Sequence, residues 1–342
     1  MTPDHCEIVV FSDTHLGFDQ PVRPRSHRVR RGPDFFANWQ RVLSVAVQRR
    51  VAAVIHCGDL FFRSKVPQPI VDRVYAEIHT FLEHDIPLVI VPGNHERARL
   101  PTSLFLAHPR LHIFDRPRTF TLSCGDRRIA VGGFPSVRNG VRDVFAASYA
   151  ATGLDTTAAD MRLLCLHQTI EGAHVGPGNF VFRDGPDVIP RRLLPDGIDA
   201  VLTGHIHRRQ EHTYRRRPAG PAIPILMPGS IERTSFAEKD EAKGYYVLRI
   251  AEGARDRMLT WQFHDLPARP MVEWALPEDI APSAVAPWLA RQFAADARDA
   301  QSPGPSAVRS QVSGTYDLTE LSRTSPKLSR NSRCRGAPPV SE

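Results

Sequence analysis

The sequence has no apolar run near the roughly twenty residues that a membrane-spanning helix needs. Its first six residues, Met1-Thr2-Pro3-Asp4-His5-Cys6, offer neither the basic nor the apolar stretch of a secretory signal. A soluble, cytoplasmic protein with no membrane partner is the expectation. Cysteine is scarce: Cys6, Cys57, Cys124, Cys165 and Cys334 are scattered without paired spacing, which argues against a thiolate zinc site or a disulfide framework. Cys57 and Cys165 fall in apolar stretches where buried thiols are ordinary, and no redox role is expected of any of the five. Lysine is scarcer still: only Lys65, Lys239, Lys243 and Lys327 stand among the 44 basic residues, so the net charge of +7 rests on arginine. That balance suits a polyanionic partner such as DNA. A solvated basic surface, or a codon bias toward arginine, accounts for it as well.

What the sequence does have is a series of strand-like runs that stop at metal-ligand residue types. Residues 51–57 form an apolar run with β-branched members, which reads as a strand buried on both faces, and the run ends at Gly58-Asp59. Four more runs behave alike: 8–12 before Asp13-Thr14-His15, 88–91 before Gly93-Asn94-His95-Glu96, 163–166 before His167, and 200–203 before Gly204-His205-Ile206-His207. A single Gly-Asp is an ordinary turn, and a single Asp-x-His is noise. Five such mouths are another matter, because open α/β sheets gather their ligands beyond the carboxyl ends of the strands. Nitrogen and oxygen donors without thiolate suit Mn²⁺, with Fe or Zn also able to bind, and the Asn94 amide can contribute an oxygen. His205 and His207, two residues apart, are expected to face the same way.

Between these strands the pattern is helical. Pro33 suits a first helical residue, and Phe36, Trp39, Val42, Leu43, Ala46 and Val47 recur at helical spacing. A second helix is expected over 69–82 and a third over 141–151. The alternation of strand and helix predicts an α/β layered fold. Residues 111–135 change to short runs separated by turns, among them 111–114, and read as a second, partly antiparallel sheet. Later strands are expected at 223–227, 244–250 and 258–263. An arginine- and proline-rich arm over 18–32 carries Arg23, Arg25, Arg28, Arg30 and Arg31, either to line a phosphate track or to lie solvated. Residues 270–274, 282–297 and 307–316 suffice for a small α+β unit, after which Ser, Arg and Pro predict disorder. The expected division is 1–265 for the main domain, 266–317 for a cap and 318–342 for a tail.

Taken together, Asp13-x-His15, Gly58-Asp59, Gly93-Asn94-His95-Glu96, His167, Gly204-His205-x-His207 and Pro228-Gly229-Ser230 resemble the ordered motif set of calcineurin-like metallophosphoesterases. Asp13-Thr14-His15-Leu16-Gly17 and Gly58-Asp59-Leu60-Phe61 are most similar to the branch of SbcD-type DNA repair exonucleases. The resemblance implies a four-layer α/β/β/α sandwich with a small C-terminal α+β cap. It implies two divalent ions: one on Asp13, His15, Asp59 and His207, the other on Asp59, Asn94, His167 and His205, with Asp59 shared. A bridging hydroxide would then attack phosphorus, with His95 as the acid or charge stabiliser beside the scissile phosphate. Arg97, Arg23 and Arg25 are the expected substrate contacts. DNA is the implied partner, an SbcC-like ATPase and a homodimer are further options, and no segment for docking the ATPase is found in the sequence. Three features depart from that branch: Glu96 where aspartate is usual, Phe62 where many members carry histidine, and Arg63, which is a protein-phosphatase feature. A phosphodiesterase or phosphatase acting on small phosphoesters or phosphoproteins is the alternative, and a non-catalytic nucleic-acid scaffold would need an emptied site.

Overall fold

The structure, a computed structural model, describes residues 5–20, 30–97, 100–101, 104, 108–217, 220–251, 259–277, 279–299 and 307–311. These fall into two compact units, one holding the N-terminal strand with Arg30–Ala268, the other beginning at Arg269. Within the first unit, a six-stranded sheet runs in the order Leu259–Asp265, Gly244–Ala251, His5–Phe11, Ala53–His56, Leu88–Ile90, Leu111–Ile113. The last four are parallel and the first two join them antiparallel. A second six-stranded sheet follows the order Gln210–Tyr214, Ile223–Met227, Ala200–Thr203, Met161–Leu166, Arg127–Gly133, Arg118–Cys124, parallel at its centre and antiparallel at both edges.

Alternation along the strands builds the layers. In the first strand Ile8 and Val10 turn toward the second sheet and pack with Val131, Leu163, Cys165 and Leu202. Their neighbours Val9 and Phe11 turn the other way, onto Phe35, Phe36, Trp39 and Val42 of helix Gly32–Arg49 and Val74 and Ile78 of helix Gln68–Leu82. The second sheet does the same with Leu164, Leu166 and Val201 against Phe145 and Tyr149 of helix Val141–Thr152. The result is the expected α/β/β/α sandwich. Strands buried on both faces must be apolar throughout, which is why they were legible as unbroken runs.

Two expectations are corrected. Leu111–Ile113 does not start the second sheet; it pairs parallel with Leu88–Ile90 at the edge of the first. The backbone decides this: Leu88 N–H donates to the Arg110 carbonyl and Phe114 N–H to that of Ile90, each at 3.0 Å. A three-residue run carries no pattern that could reveal its partner. Second, Cys6 and Cys124 are not unconnected thiols but a disulfide joining the first sheet to the second, with 5.8 Å between their Cα atoms. The 118 residues that separate them hide the pairing in the sequence.

The second unit pairs Met271–Ala275 parallel with Ala307–Gln311 and packs Trp274 and Leu276 against Val285 and Leu289 of helix Pro282–Asp299. Arg23, Arg25 and Arg28, and the tail expected after 317, lie outside the described residues. Among the described residues, no helix is long and apolar enough to cross a membrane.

Candidate metal centre

The five mouths meet at one place because the strands that carry them are neighbours and the two sheets face each other. The exit of His5–Phe11 runs beside the exit of Ala53–His56: Asp13 N–H donates to the Gly58 carbonyl at 2.9 Å, His15 N–H to that of Asp59 at 3.0 Å, and Leu16 N–H to that of Leu60 at 2.8 Å. Asp13, His15 and Asp59 hold φ values of 52°, 43° and 55°, and His205, leaving the second sheet, holds 81°. Left-handed backbone in non-glycine residues costs free energy, and here it gathers where side chains must turn out of the sheet. Gly93 is required by closeness: a Cβ there would stand 2.1 Å from Asp59 Oδ1. Gly58 is required twice over, since its φ is +101° and a Cβ would stand 2.1 Å from His167 Nδ1.

All seven expected ligands converge. His15 Nε2 lies 2.9 Å from His207 Nε2, with Asp13 Oδ1 3.8 Å from His207 Nε2 and Asp59 Oδ2 4.0 Å from His15 Nε2. On the other side of Asp59, His167 Nε2 lies 3.3 Å from Asp59 Oδ2 and 2.9 Å from Asn94 Oδ1, which is also 2.9 Å from His205 Nδ1. Asp13, His15, Asp59 and His167 are almost wholly buried. His205 and His207 do not face the same way as their spacing suggests. His205 turns to Asn94 and His207 to His15, because the segment is no longer extended at His205.

The donor set fits a pair of cations. His167 Nδ1 donates to the Cys57 carbonyl at 2.7 Å, so a neutral His167 turns a bare Nε2 lone pair on two oxygens. Positive charge at that point reconciles them. Burial disfavours the His167 imidazolium, but the Asp59 carboxylate beside it prevails and pushes His167 up to about 10. Burial raises the Asp59 carboxyl, yet His167, with His15 and His95, holds it well below the usual carboxylate range. His15 and His207 meet in the same way, nitrogen to nitrogen, and His15 Nδ1 is buried without a partner. Although part of His205 reaches solvent, desolvation among its neighbours lowers it to about 4 and His167 adds to the effect, which favours the neutral imidazole with its single ring lone pair. Either half of the set lacks thiolate and mixes imidazole with oxygen, a donor chemistry that suits Mn²⁺, Fe or Zn.

Around these lie residues of other kinds. His95 N–H donates to Asp59 Oδ1 at 2.9 Å, its Nδ1 donates to the Phe62 carbonyl at 2.6 Å, and its Nε2 stands 3.9 Å from Asp59 Oδ2. Glu96, read from the sequence only as a departure, is a staple between two loops. Its carboxylate accepts the Phe61 N–H at 2.5 Å and the Gly93 N–H at 2.7 Å. Burial, and then the Asp59 charge, push it up to about 8. A cavity of about 390 Å³ adjoins the centre, lined by Asn94, His95 and His205 together with Ser136, Arg138 and Gln168. Arg97, the expected substrate contact, is among its lining residues; so is Arg138, which was not anticipated, since one arginine among so many carries no signal. Arg63 is exposed, and its Nη2 donates to the Gln20 carbonyl at 3.5 Å.

Comparison with known proteins bears on the same residues. Residues 7–209 match the family described as calcineurin-like phosphoesterase. The DNA double-strand break repair protein Mre11 of Methanosarcina mazei is 28% identical over 245 residues, covering 71% of this chain and 36% of that protein. The Mre11 protein of Saccharolobus solfataricus is 22% identical over 253 residues, covering 72% and 61%, and that of Halobacterium salinarum is 34% identical over 257 residues, covering 72% and 57%. The chain thus spans between about a third and three fifths of the length of these relatives.

Proposed function

Because the chain belongs to the calcineurin-like phosphoesterase family and is a metal-dependent phosphoesterase, we propose that it is a DNA repair nuclease of SbcD type, cutting phosphodiesters at the centre described above. The observation that carries this reading is the convergence of six nitrogen- and oxygen-bearing side chains around a seventh, the buried carboxylate of Asp59. Two divalent cations, Mn²⁺ in our reading with Fe or Zn as alternatives, would supply the charge that neutralises the phosphate oxygens and acidifies a water. Asp13, His15, Asp59 and His207 would hold one of them, and Asp59, Asn94, His167 and His205 the other.

The remaining work falls to this chain's own groups. His95 has its Nδ1 proton committed to Phe62, so only Nε2, on the Asp59 side, can present a proton or positive charge to the departing oxygen. Arg97 and Arg138, which line the adjoining cavity, suit the phosphate of a neighbouring nucleotide. The relatives named for double-strand break repair favour DNA over a small phosphoester. We place the activity in the cytoplasm, with an SbcC-like ATPase or a second copy of the chain as candidate partners.

The test is an assay with Mn²⁺ on end-labelled single- and double-stranded DNA beside bis-p-nitrophenyl phosphate and p-nitrophenyl phosphate. Release of nucleotides, with the diester cleaved faster than the monoester, is expected. Cleavage of the monoester alone, with DNA untouched, would overturn the reading in favour of a phosphatase.

A further inference from the structure

His207 is held from behind by groups that lie beyond the stretch matched to the family, which ends at residue 209. Its Nδ1 stands 3.1 Å from Glu238 Oε1 and 3.1 Å from Thr234 Oγ1. Glu238 is itself fixed on all sides. Its Oε2 accepts Lys243 Nζ at 2.7 Å, the Thr234 N–H at 3.1 Å and the Ser230 hydroxyl at 3.4 Å, and the Thr234 hydroxyl donates to Oε1. Lys243 is 1% exposed, and its three ammonium protons have three acceptors: Glu238, Glu241 at 3.1 Å, and the carbonyl of His207 at 2.9 Å. A buried lysine is costly unless every proton is placed. Here the placement grips His207 twice, by its ring through Glu238 and by its backbone through Lys243.

We propose that Glu238 is a positioning residue for the ion held by His15 and His207, and that Lys243 and Thr234 are the groups that fix Glu238. The chemistry follows from the imidazole. A carboxylate facing Nδ1 accepts a hydrogen bond from the proton on that nitrogen and so fixes it there, which leaves the Nε2 lone pair directed at the point shared with His15, 2.9 Å away. Among the described residues the other ion position has no equivalent carboxylate behind His205, which is exposed and whose Nδ1 faces Asn94, another member of the set. The arrangement therefore makes the two positions unequal, and loss of Glu238 acts on one of them. The inference rests on the two-ion reading of the centre but not on the identity of the substrate.

The experiment is a Mn²⁺ titration of the purified full chain, free Mn²⁺ being read by electron paramagnetic resonance, in the parent and in Glu238→Gln. Two sites are expected in the parent. In Glu238→Gln one of them should weaken by roughly 10–100-fold while the other is unchanged. The Mn²⁺ concentration for half-maximal turnover should rise by a similar factor, with turnover recovering at saturating Mn²⁺. Should Glu238→Gln fail to fold, Glu238→Asp, which keeps the charge and withdraws it by one methylene, must show a smaller weakening at the same single site. Two unchanged sites in the variant overturn the proposal. So does equal loss of both sites together with a lower melting temperature of the metal-free protein, the mark of a merely structural role. If one site weakens but the parent cuts no diester, the positioning role stands and the substrate reading falls. If DNA is cut and both sites persist unchanged, the positioning role alone falls.

Discussion

At His95 one ring nitrogen is already committed, and that commitment defines what the other can do. The Phe62 carbonyl takes the Nδ1 proton, and the backbone N–H of His95 is tied to Asp59, so the ring has a fixed tautomer and a fixed place. Its Nε2 approaches Asp59 Oδ2, the oxygen that His15 and His167 also approach, yet its side chain is 35% exposed where His15 is buried, so it faces whatever enters. The role proposed for it separates chemistry from metal binding. His95→Ala is expected to retain two ions per chain, measured by metal analysis, and to lose about 10²–10⁴-fold in kcat on bis-p-nitrophenyl phosphate. Parent-like turnover in the variant would remove His95 from the reaction, and loss of an ion would make it a ligand instead. Phe62, where many members of the resembling branch carry histidine, sets its ring centroid 5.8 Å from that of His95 and 6.1 Å from that of His15. It gives the site an apolar flank and no proton.

Elements supply the rigidity that single residues cannot. Each strand of the parallel core delivers its first functional group within four residues of its end, and Glu96 ties the Asp59 loop to the Asn94 loop through two backbone amides. Farther from the centre, the strand His5–Phe11 is anchored to helix Gly32–Arg49 and strand Gly244–Ala251 by one carboxylate. Glu7 accepts from Arg49 at 2.7 Å and 2.8 Å and from Arg249 at 2.8 Å. Burial raises the Glu7 carboxyl, but the hydrogen bonds and charges of the two arginines outweigh it and bring the group down from 4.5 to about 2. The folded value being the lower, the stabilisation is complete above the unfolded value and is lost as pH falls toward 2. Because both arginines are partly exposed and screened, Glu7→Gln is expected to cost about 1–2 kcal/mol at pH 7, measured by denaturant unfolding. The gap between variant and parent should narrow between pH 5 and pH 3. A gap that stays constant with pH would mean that the carboxylate charge contributes nothing.

The same elements mark what a sequence can and cannot show. Asp13, Asp59, Asn94, His167, His205 and His207 were legible because each follows an apolar run whose end is visible, and because a parallel sheet places such ends side by side. Leu111–Ile113 was assigned to the wrong sheet, since a strand of three residues does not encode its neighbour. Glu238 and Lys243 were invisible as partners of His207, lying 31 and 36 residues beyond it with no motif to connect them. Their burial is a property of the packed chain, not of the local pattern. Glu96 was noticed for its identity and not for its work, because its two acceptor contacts exist only once two loops have met.

On the scale of the molecule, the sandwich brings two sets of donors together by pressing two sheets face to face. Ile8, Val10, Ile55 and Val89 of one sheet share a core with Val131, Leu163, Leu202 and Leu226 of the other, and the Cys6–Cys124 disulfide links the sheets covalently. The first sheet supplies Asp13, His15, Asp59 and Asn94; the second supplies His167, His205 and His207. Neither sheet alone carries all the donors proposed for either ion, so the proposed centre needs both edges. The most direct test is anomalous diffraction from crystals of the full chain grown with Mn²⁺. Two peaks about 3.5–4 Å apart are expected, one among Asp13, His15 and His207 and one among Asn94, His167 and His205, with Asp59 between them. A single peak, or peaks away from Asp59, would contradict the account.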